Sequence, residues 1–317
     1  MNMKIGLIDV DGHNYPNFAL MKISSFHKKE NDTVEWVNHI EKYDKVYMSK
    51  VFTTTPDIRT VIQADIIERG GTGYDIKKVL PEKIDNCNPD YSIYPVSEWY
   101  DGKTAYGFLT RGCIRNCRWC IVSQKEGTIR PYGDIEEILH GMNKAILMDN
   151  NVLACEHGLL QLEKIVDLKC RVDFNQGLDA RLVTAEIAGL LSKVRFIKNT
   201  IRFACDSDES FESVEIAKDL LQTADFKGII SIYVLLTEDI RECLSRIMNL
   251  DCLDWKEGRR TYKISLFAQP YIDFTCKRKV PQWKSDMARW CNMKSLFYSH
   301  NFGNYQPRKG FYCREYF

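Results

Sequence analysis

The chain has 317 residues, a mass of 36.9 kDa and a net charge of +1, with 44% hydrophobic and 27% charged residues. That balance describes an ordinary globular protein of one large domain, or one large and one small. No apolar run approaches the roughly 20 residues that cross a bilayer, and the opening MNMKIGLIDVDGHN lacks the layout of a signal peptide, so a cytoplasmic protein without membrane partners is expected.

The first hundred residues read as a small doubly wound α/β domain. Lys4 to Val10 is an apolar strand, Pro16 to His27 a helix, and Thr33 to Val37 and Lys45 to Ser49 are strands. A further run from Ile62 to Ile67 leads to Gly70, Gly71 and Gly73, which read first as turn glycines. Residues 80–102, with Pro81, Pro89 and Pro95, read as a linker.

After the linker, strands and helices alternate. Gly107 to Thr110 is a short strand, Arg111 and Gly112 make a turn, and a cysteine-bearing loop follows that Gly127 and Pro131 help to close. Helices are expected at Asp134 to Met142, His157 to Leu168, Thr184 to Leu191 with Thr184 as N-cap, Glu209 to Thr223 and Asp239 to Asn249. Between them fall the strands Lys144 to Met148, Cys170 to Phe174, Thr200 to Ala204, Ile229 to Leu236 and Tyr262 to Ala268. Such alternation calls for parallel pairing, and six β/α units predict a partial (β/α)6 TIM-like barrel over residues 103–270. In that architecture functional groups gather at the carboxyl ends of the strands, where polar clusters do occur: Asp149 to Asn151, Asn175 to Arg181, Asp206 to Ser210, and Gln269. Taken singly, such residues commonly terminate strands and cap helices.

Charge is unevenly distributed. Residues 259–317 carry twelve Lys and Arg against three acids, so this segment is +9 and the remainder −8. The segment also holds fourteen Phe, Tyr and Trp. Basic and aromatic residues interleaved in this way suit a nucleic acid or nucleotide partner. The competing reading is that the aromatics complete the core, because the helix expected from Ser285 to Phe297 has an apolar stripe of Met287, Trp290, Met293 and Phe297.

The most informative feature is CIRNCRWC, in which Cys113, Cys117 and Cys120 are separated by three and then two residues. With 12 cysteines in the chain, this spacing is expected by chance about 0.02 times. A four-iron, four-sulfide cube normally takes one thiolate per iron, so a three-cysteine loop leaves one iron open for a substrate or cofactor. The alternative is a non-catalytic iron–sulfur or zinc protein, a carrier or nucleic-acid-binding module, with Cys155, His157 or Cys170 as fourth ligand. Zinc sites usually come as two close pairs of ligands, and no second pair has that spacing. The other cysteines form no disulfide framework and fit reduced thiols.

The triplet, with the aromatic Trp119 immediately before Cys120, resembles the signature C-x3-C-x2-C of the radical S-adenosylmethionine enzymes. The resemblance implies that Cys113, Cys117 and Cys120 hold a [4Fe-4S] cluster whose open iron is chelated by S-adenosylmethionine. Reductive cleavage of that cofactor would give a 5′-deoxyadenosyl radical for hydrogen abstraction from a substrate, with a flavodoxin or ferredoxin as electron donor. Trp119 would lie near the adenine, Asn175, Gln176, Asp179 and Arg181 would hold the cofactor, and Asp149, Asn150 and Asp206 would contact cofactor or substrate. The first domain is similar in element order to a shortened cobalamin-binding domain, which implies cobalamin as a further cofactor. The histidine-ligating motif D-x-H-x-x-G reads here as D-G-H-N-Y-P over residues 11–16, without its closing glycine.

Overall fold

The computed structural model describes residues 2–97, 100–257, 260–262, 264–273 and 279–317. The basic residues Arg259, Lys263, Lys277 and Arg278, and Cys276, lie outside the described residues. The chain forms two compact units, Met1–Gly107 with Ile138–Asn143, and Phe108–Glu137 with Lys144–Phe317. Both are α/β with parallel sheets. Among the described residues no helix is long and apolar enough to cross a membrane.

In the first unit the strands are β1 (Lys4–Asp9), β2 (Thr33–Trp36), β3 (Lys42–Ser49) and β4 (Gln63–Gly70), all parallel in the order β2-β1-β3-β4. The helix α1 (Phe18–Lys29) connects β1 to β2. Its apolar positions bury Leu20 and Ile23 against Ile5, Leu7 and Tyr47, and Asn17 caps its start by accepting from the Leu20 N–H. The opposite face of the sheet is covered by Ile58, Ile62 and Tyr74 from connecting segments. The expected double winding is therefore reduced: among the described residues the helices of this unit pack on one face. The segment Val51–Ile62, with Pro56 and a run of threonines, lacks a helix-forming pattern.

Residues 80–102 are not a free linker. They form the short helix α2 (Glu82–Asp85) and a 3₁₀ turn at Tyr91–Ile93, and they bury Ile84, Tyr94 and Tyr100. The Trp36 indole donates to the Ile93 carbonyl at 2.8 Å, and Ser24 Oγ donates to Asp90 at 2.7 Å. Gly71 belongs to packing: its φ is +91°, and a Cβ there would lie 2.3 Å from the Lys50 carbonyl oxygen. Asp11 accepts from the backbone of Val51 and Phe52 and from Thr55 Oγ1, while the His13 ring packs edge-on against Trp36 at 4.1 Å.

One buried carboxyl makes this unit sensitive to pH. Asp9 is 7% exposed, and burial pushes its pKa up to about 6 although the Tyr94 hydroxyl donates to it at 2.8 Å. The folded state thus binds the proton more tightly than the unfolded chain. Stability falls as pH rises from about 4 to about 6 and stays lower above that window. Asp9→Asn is expected to remove this slope and to raise stability at pH 7 by about 1–2 kcal/mol. Urea titrations of both proteins at pH 4.5 and 7 check it, and an unchanged slope in the variant would contradict the assignment.

In the second unit, β5 (Ala105–Gly107) of the first unit having ended, β6 (Thr110–Arg111) pairs antiparallel with β7 (Arg130–Pro131) and closes the cysteine loop, which carries the helical turn α3 (Val122–Lys125). The helix α4 (Ile135–Leu139) is shorter than the expected Asp134 to Met142, because His140 and Gly141 both adopt positive φ. Then follow β8 (Lys144–Leu147), α5 (Glu156–Leu168), β9 (Arg171–Phe174), α6 (Ala185–Lys193), β10 (Arg195–Phe196), β11 (Thr200–Ala204), α7 (Asp208–Thr223), β12 (Ile229–Leu236) and α8 (Ile240–Asp251). The hairpin β13 (Trp255–Glu257) and β14 (Arg260–Tyr262) precedes β15 (Ile264–Pro270). Strands β8, β9 and β10 pair in parallel, as do β11, β12 and β15. A parallel bridge between Leu178 and Phe203 links the two sets. Side chains along β12 alternate between buried and less buried, placing Ile230, Ile232, Val234 and Leu236 in the core.

The long helix expected from Ser285 to Phe297 is two helices, α9 (Gln282–Asn292) and α10 (Lys294–Ser299). Asn292 explains the break: its amide exchanges two hydrogen bonds with Ala268 of β15, accepting from the N–H at 2.7 Å and donating to the carbonyl at 2.9 Å. Met293 then takes an extended conformation and is exposed rather than part of a buried stripe. The aromatics of the C-terminal segment divide: Trp290, Phe302 and Tyr305 are buried, whereas Phe267, Tyr298, Tyr312 and Phe317 are exposed. Arg308 is committed to Asp286 at 2.8 Å and to the Phe311 ring at 3.9 Å.

Candidate cluster and cofactor site

The cysteine loop begins at a braced turn. Asp149, which follows β8, is 2% exposed and accepts from the N–H groups of Leu109 and Thr110 and from Thr110 Oγ1, at 3.1, 2.6 and 2.7 Å. Burial pushes its pKa up to about 6, opposed by those donors, so it remains ionised at neutral pH. Its oxygens are engaged in fixing the strand that leads to Cys113. Gly112 has φ +85°, and a Cβ there would lie 2.3 Å from the Thr128 carbonyl oxygen. The Cys113 N–H donates to the Gly127 carbonyl at 3.2 Å, so both ends of the loop are held together.

Cys113, Cys117 and Cys120 are all half-buried thiols. Backbone N–H groups of Arg115 and Val122 donate to the sulfurs of Cys113 and Cys120 at 3.3 and 3.5 Å. Burial raises the pKa of Cys117 and Cys120. In both, the charge of the neighbouring cysteines adds to the shift, and the Arg181 guanidinium opposes it at Cys117. The three sulfurs thus share one electrostatic neighbourhood. Among the described residues no three His, Cys, Asp or Glu side chains are gathered tightly enough to grip a single metal ion.

Side chains from three strand ends meet at this loop. Asn151, 2% exposed, donates through Nδ2 to Cys113 Sγ at 3.4 Å and to Asp179 Oδ2 at 3.2 Å. Asp179, after β9, also binds Arg115 at 3.0 Å and Arg181 at 2.6 Å. Burial would raise the Asp179 pKa, but the two guanidinium groups outweigh it and hold the carboxylate below its usual range. Asp206, after β11, faces the Trp119 indole and the Leu235 N–H, which oppose the upward push of burial on its pKa. The side-chain oxygens of Asn150 and Asn151 are buried without a hydrogen-bond partner, an arrangement that costs about 1–3 kcal/mol per atom unless a ligand donates to them.

The sequence-derived set therefore divides. Trp119, Asp179, Arg181 and Asp206 stand around the cysteine loop or its immediate partners, and Asn150, next to Asn151 in the chain, has a buried side-chain oxygen. Gln176 is exposed and donates to Asn175 Oδ1 at 3.3 Å, and the Asn175 carbonyl accepts from Tyr233, so this pair is engaged with each other and with β12. Arg115 and Asn151 join the site through contacts that the sequence does not mark. Arg115 lies between two cysteines, a position that offers no signal of its partner 64 residues away.

Beside Trp119 and Asp206 a cleft of about 830 Å³ opens at the ends of β11, β12 and β15. Among the described residues it is lined by seven carboxylates, including Asp208, Glu238, Glu242 and Asp273, against two arginines, Arg118 and Arg246. Arg246 is tied to Asp208 at 3.0 Å and Arg118 to Glu238 at 3.5 Å. Compared with known proteins, no family model and no curated protein matches this chain.

Proposed function

We propose that the chain is a radical S-adenosylmethionine enzyme, in which Cys113, Cys117 and Cys120 hold a [4Fe-4S] cluster with one open iron. One observation carries this reading: the cysteine loop, the buried Asn151 and the doubly paired Asp179 form one connected network at the carboxyl ends of parallel strands. The partial (β/α)6 barrel belongs to the same proposal, supported by the parallel run of β8, β9, β11, β12 and β15 and the Leu178–Phe203 bridge.

The residues suit the cofactor. The orphaned oxygens of Asn150 and Asn151 call for a donor such as an ammonium group, and Arg181 is placed for a carboxylate. Trp119, oriented by Asp206, offers a flat face at the cleft for an adenine. When bound, cluster and cofactor would supply a carbon-centred radical able to remove hydrogen from an unactivated C–H bond, with a flavodoxin or ferredoxin as electron source. The chain's own part is to orient these groups and keep water from them. Seven carboxylates against two arginines make the cleft a poor seat for a phosphate backbone, which favours a neutral or cationic substrate over nucleic acid.

The test is anaerobic reconstitution followed by electron paramagnetic resonance of the reduced protein. A cluster signal that shifts when S-adenosylmethionine is added is expected. A colourless protein holding stoichiometric zinc would replace this proposal with the non-catalytic alternative.

A further inference from the structure

Three lysines of the described chain are buried, and two of them have carboxylate partners. Lys22 donates to Asp85 at 2.9 Å, and Lys50 lies 3.9 Å from Asp57. Lys284 is 5% exposed and, among the described residues, has neither a hydrogen-bond nor an ion-pair partner. Its Nζ lies 5.6 Å from the Tyr271 ring and 5.7 Å from that of Trp283. Tyr271 and Glu238 line the cleft described above, so this amine stands directly behind the cleft wall.

Its place in the helix sharpens the point. Lys284 is the third residue of α9, where unsatisfied N–H groups and the macrodipole favour acids and disfavour a cation. Asp286, on the same helix start, is fully engaged by Gln282, Arg308 and Tyr316 and does not offset it. Other elements bring up Glu238 and the thiol of Cys243, which favour the charged form, but burial prevails and lowers the pKa. An anionic ligand is a poor match, because the cleft is already rich in carboxylates. A lowered pKa brings the uncharged amine, with its nucleophilic lone pair, within easier reach.

We propose that Lys284, behind the Tyr271 wall of the cleft, is a nucleophilic amine that condenses with the carbonyl group of an aldehyde or ketone ligand entering from the cleft. Its nitrogen adds to the carbonyl carbon, forming the C–N bond as the carbonyl π bond opens onto oxygen. A proton passes from nitrogen to that oxygen. Loss of water, with a second nitrogen proton, then leaves the C=N bond. No oxidant or reductant is consumed.

The experiment uses the full chain without iron or S-adenosylmethionine, so its outcome is separate from that of the radical proposal. Limiting butanal and sodium cyanoborohydride are added at pH 7, and labelled lysines are quantified by peptide mass mapping. Lys284 is expected to label faster than the exposed Lys294 and Lys309, by about threefold or more, the direction that its lowered pKa implies. Labelling of Lys284 at the same rate as those two, slower, or not at all would overturn the proposal. Because the comparison is internal to the native protein, it does not depend on a variant that folds.

Discussion

Cys117→Ala is expected to abolish cleavage of S-adenosylmethionine in the reconstituted protein, lowering 5′-deoxyadenosine formation by a factor on the order of 10³ or to background. In the proposed cluster each thiolate would sit on its own iron, so two sulfurs in a loop of eight residues would not replace the third. The same loss is expected for Cys113→Ala and Cys120→Ala. By contrast, Cys252→Ala, at an exposed thiol elsewhere in the chain, should retain activity. Iron content distinguishes the causes: the three loop variants should lose iron in parallel with product, whereas a variant that keeps its iron and loses only product would point to a role in positioning. Retained 5′-deoxyadenosine formation in any of the three would remove that cysteine from the ligand set.

Asp149→Ala should be the most damaging single change outside the cysteines. It removes a carboxylate that accepts from Leu109 N–H, Thr110 N–H and Thr110 Oγ1, leaving two buried backbone donors unsatisfied. A loss of about 3 kcal/mol is expected. Asp149→Asn keeps one acceptor oxygen but turns an NH₂ group toward donors, so it should recover only part of the loss. Because the residue braces the start of the cysteine loop, iron binding should fall as well, even though Asp149 touches no sulfur. Chemical denaturation paired with iron analysis checks this. A variant with wild-type stability would show that the buried carboxylate is not the brace described here.

What the sequence could reveal follows the range of the forces involved. Strands β11 and β12 match the expected Thr200 to Ala204 and Ile229 to Leu236, and Thr184 caps α6 by accepting from the Ile187 N–H at 3.2 Å. Alternation and capping are local, so they are readable from neighbours in the chain. The break between α9 and α10 was not readable, because it depends on Asn292 reaching the backbone of Ala268, 24 residues away. For the same reason residues 80–102 looked like a linker. Their prolines are visible in the sequence, but the bond from Trp36 to Ile93 is not. Strand β10 escaped notice because left-handed Lys198 and Asn199 interrupt the run from Arg195 to Ala204.

The candidate site divides along the same line. The cysteine spacing is a local mark, and Asp179 with Arg181 stood out as a cluster at a strand end. Which acids support the loop and which face the cleft depends on burial: Asp149 and Asp206 look equivalent in sequence, yet one is enclosed by backbone donors and the other faces Trp119. Asn151 sat within a recognised polar run, but its hold on Cys113 arises only when the strand ends converge.

The most direct test of the account is product analysis of the wild-type protein, reconstituted without oxygen and reduced with dithionite in the presence of S-adenosylmethionine. The account predicts methionine and 5′-deoxyadenosine in equal amounts, both dependent on iron and on the reductant. Protein that carries a full complement of iron and sulfide under these conditions and forms neither product would contradict it.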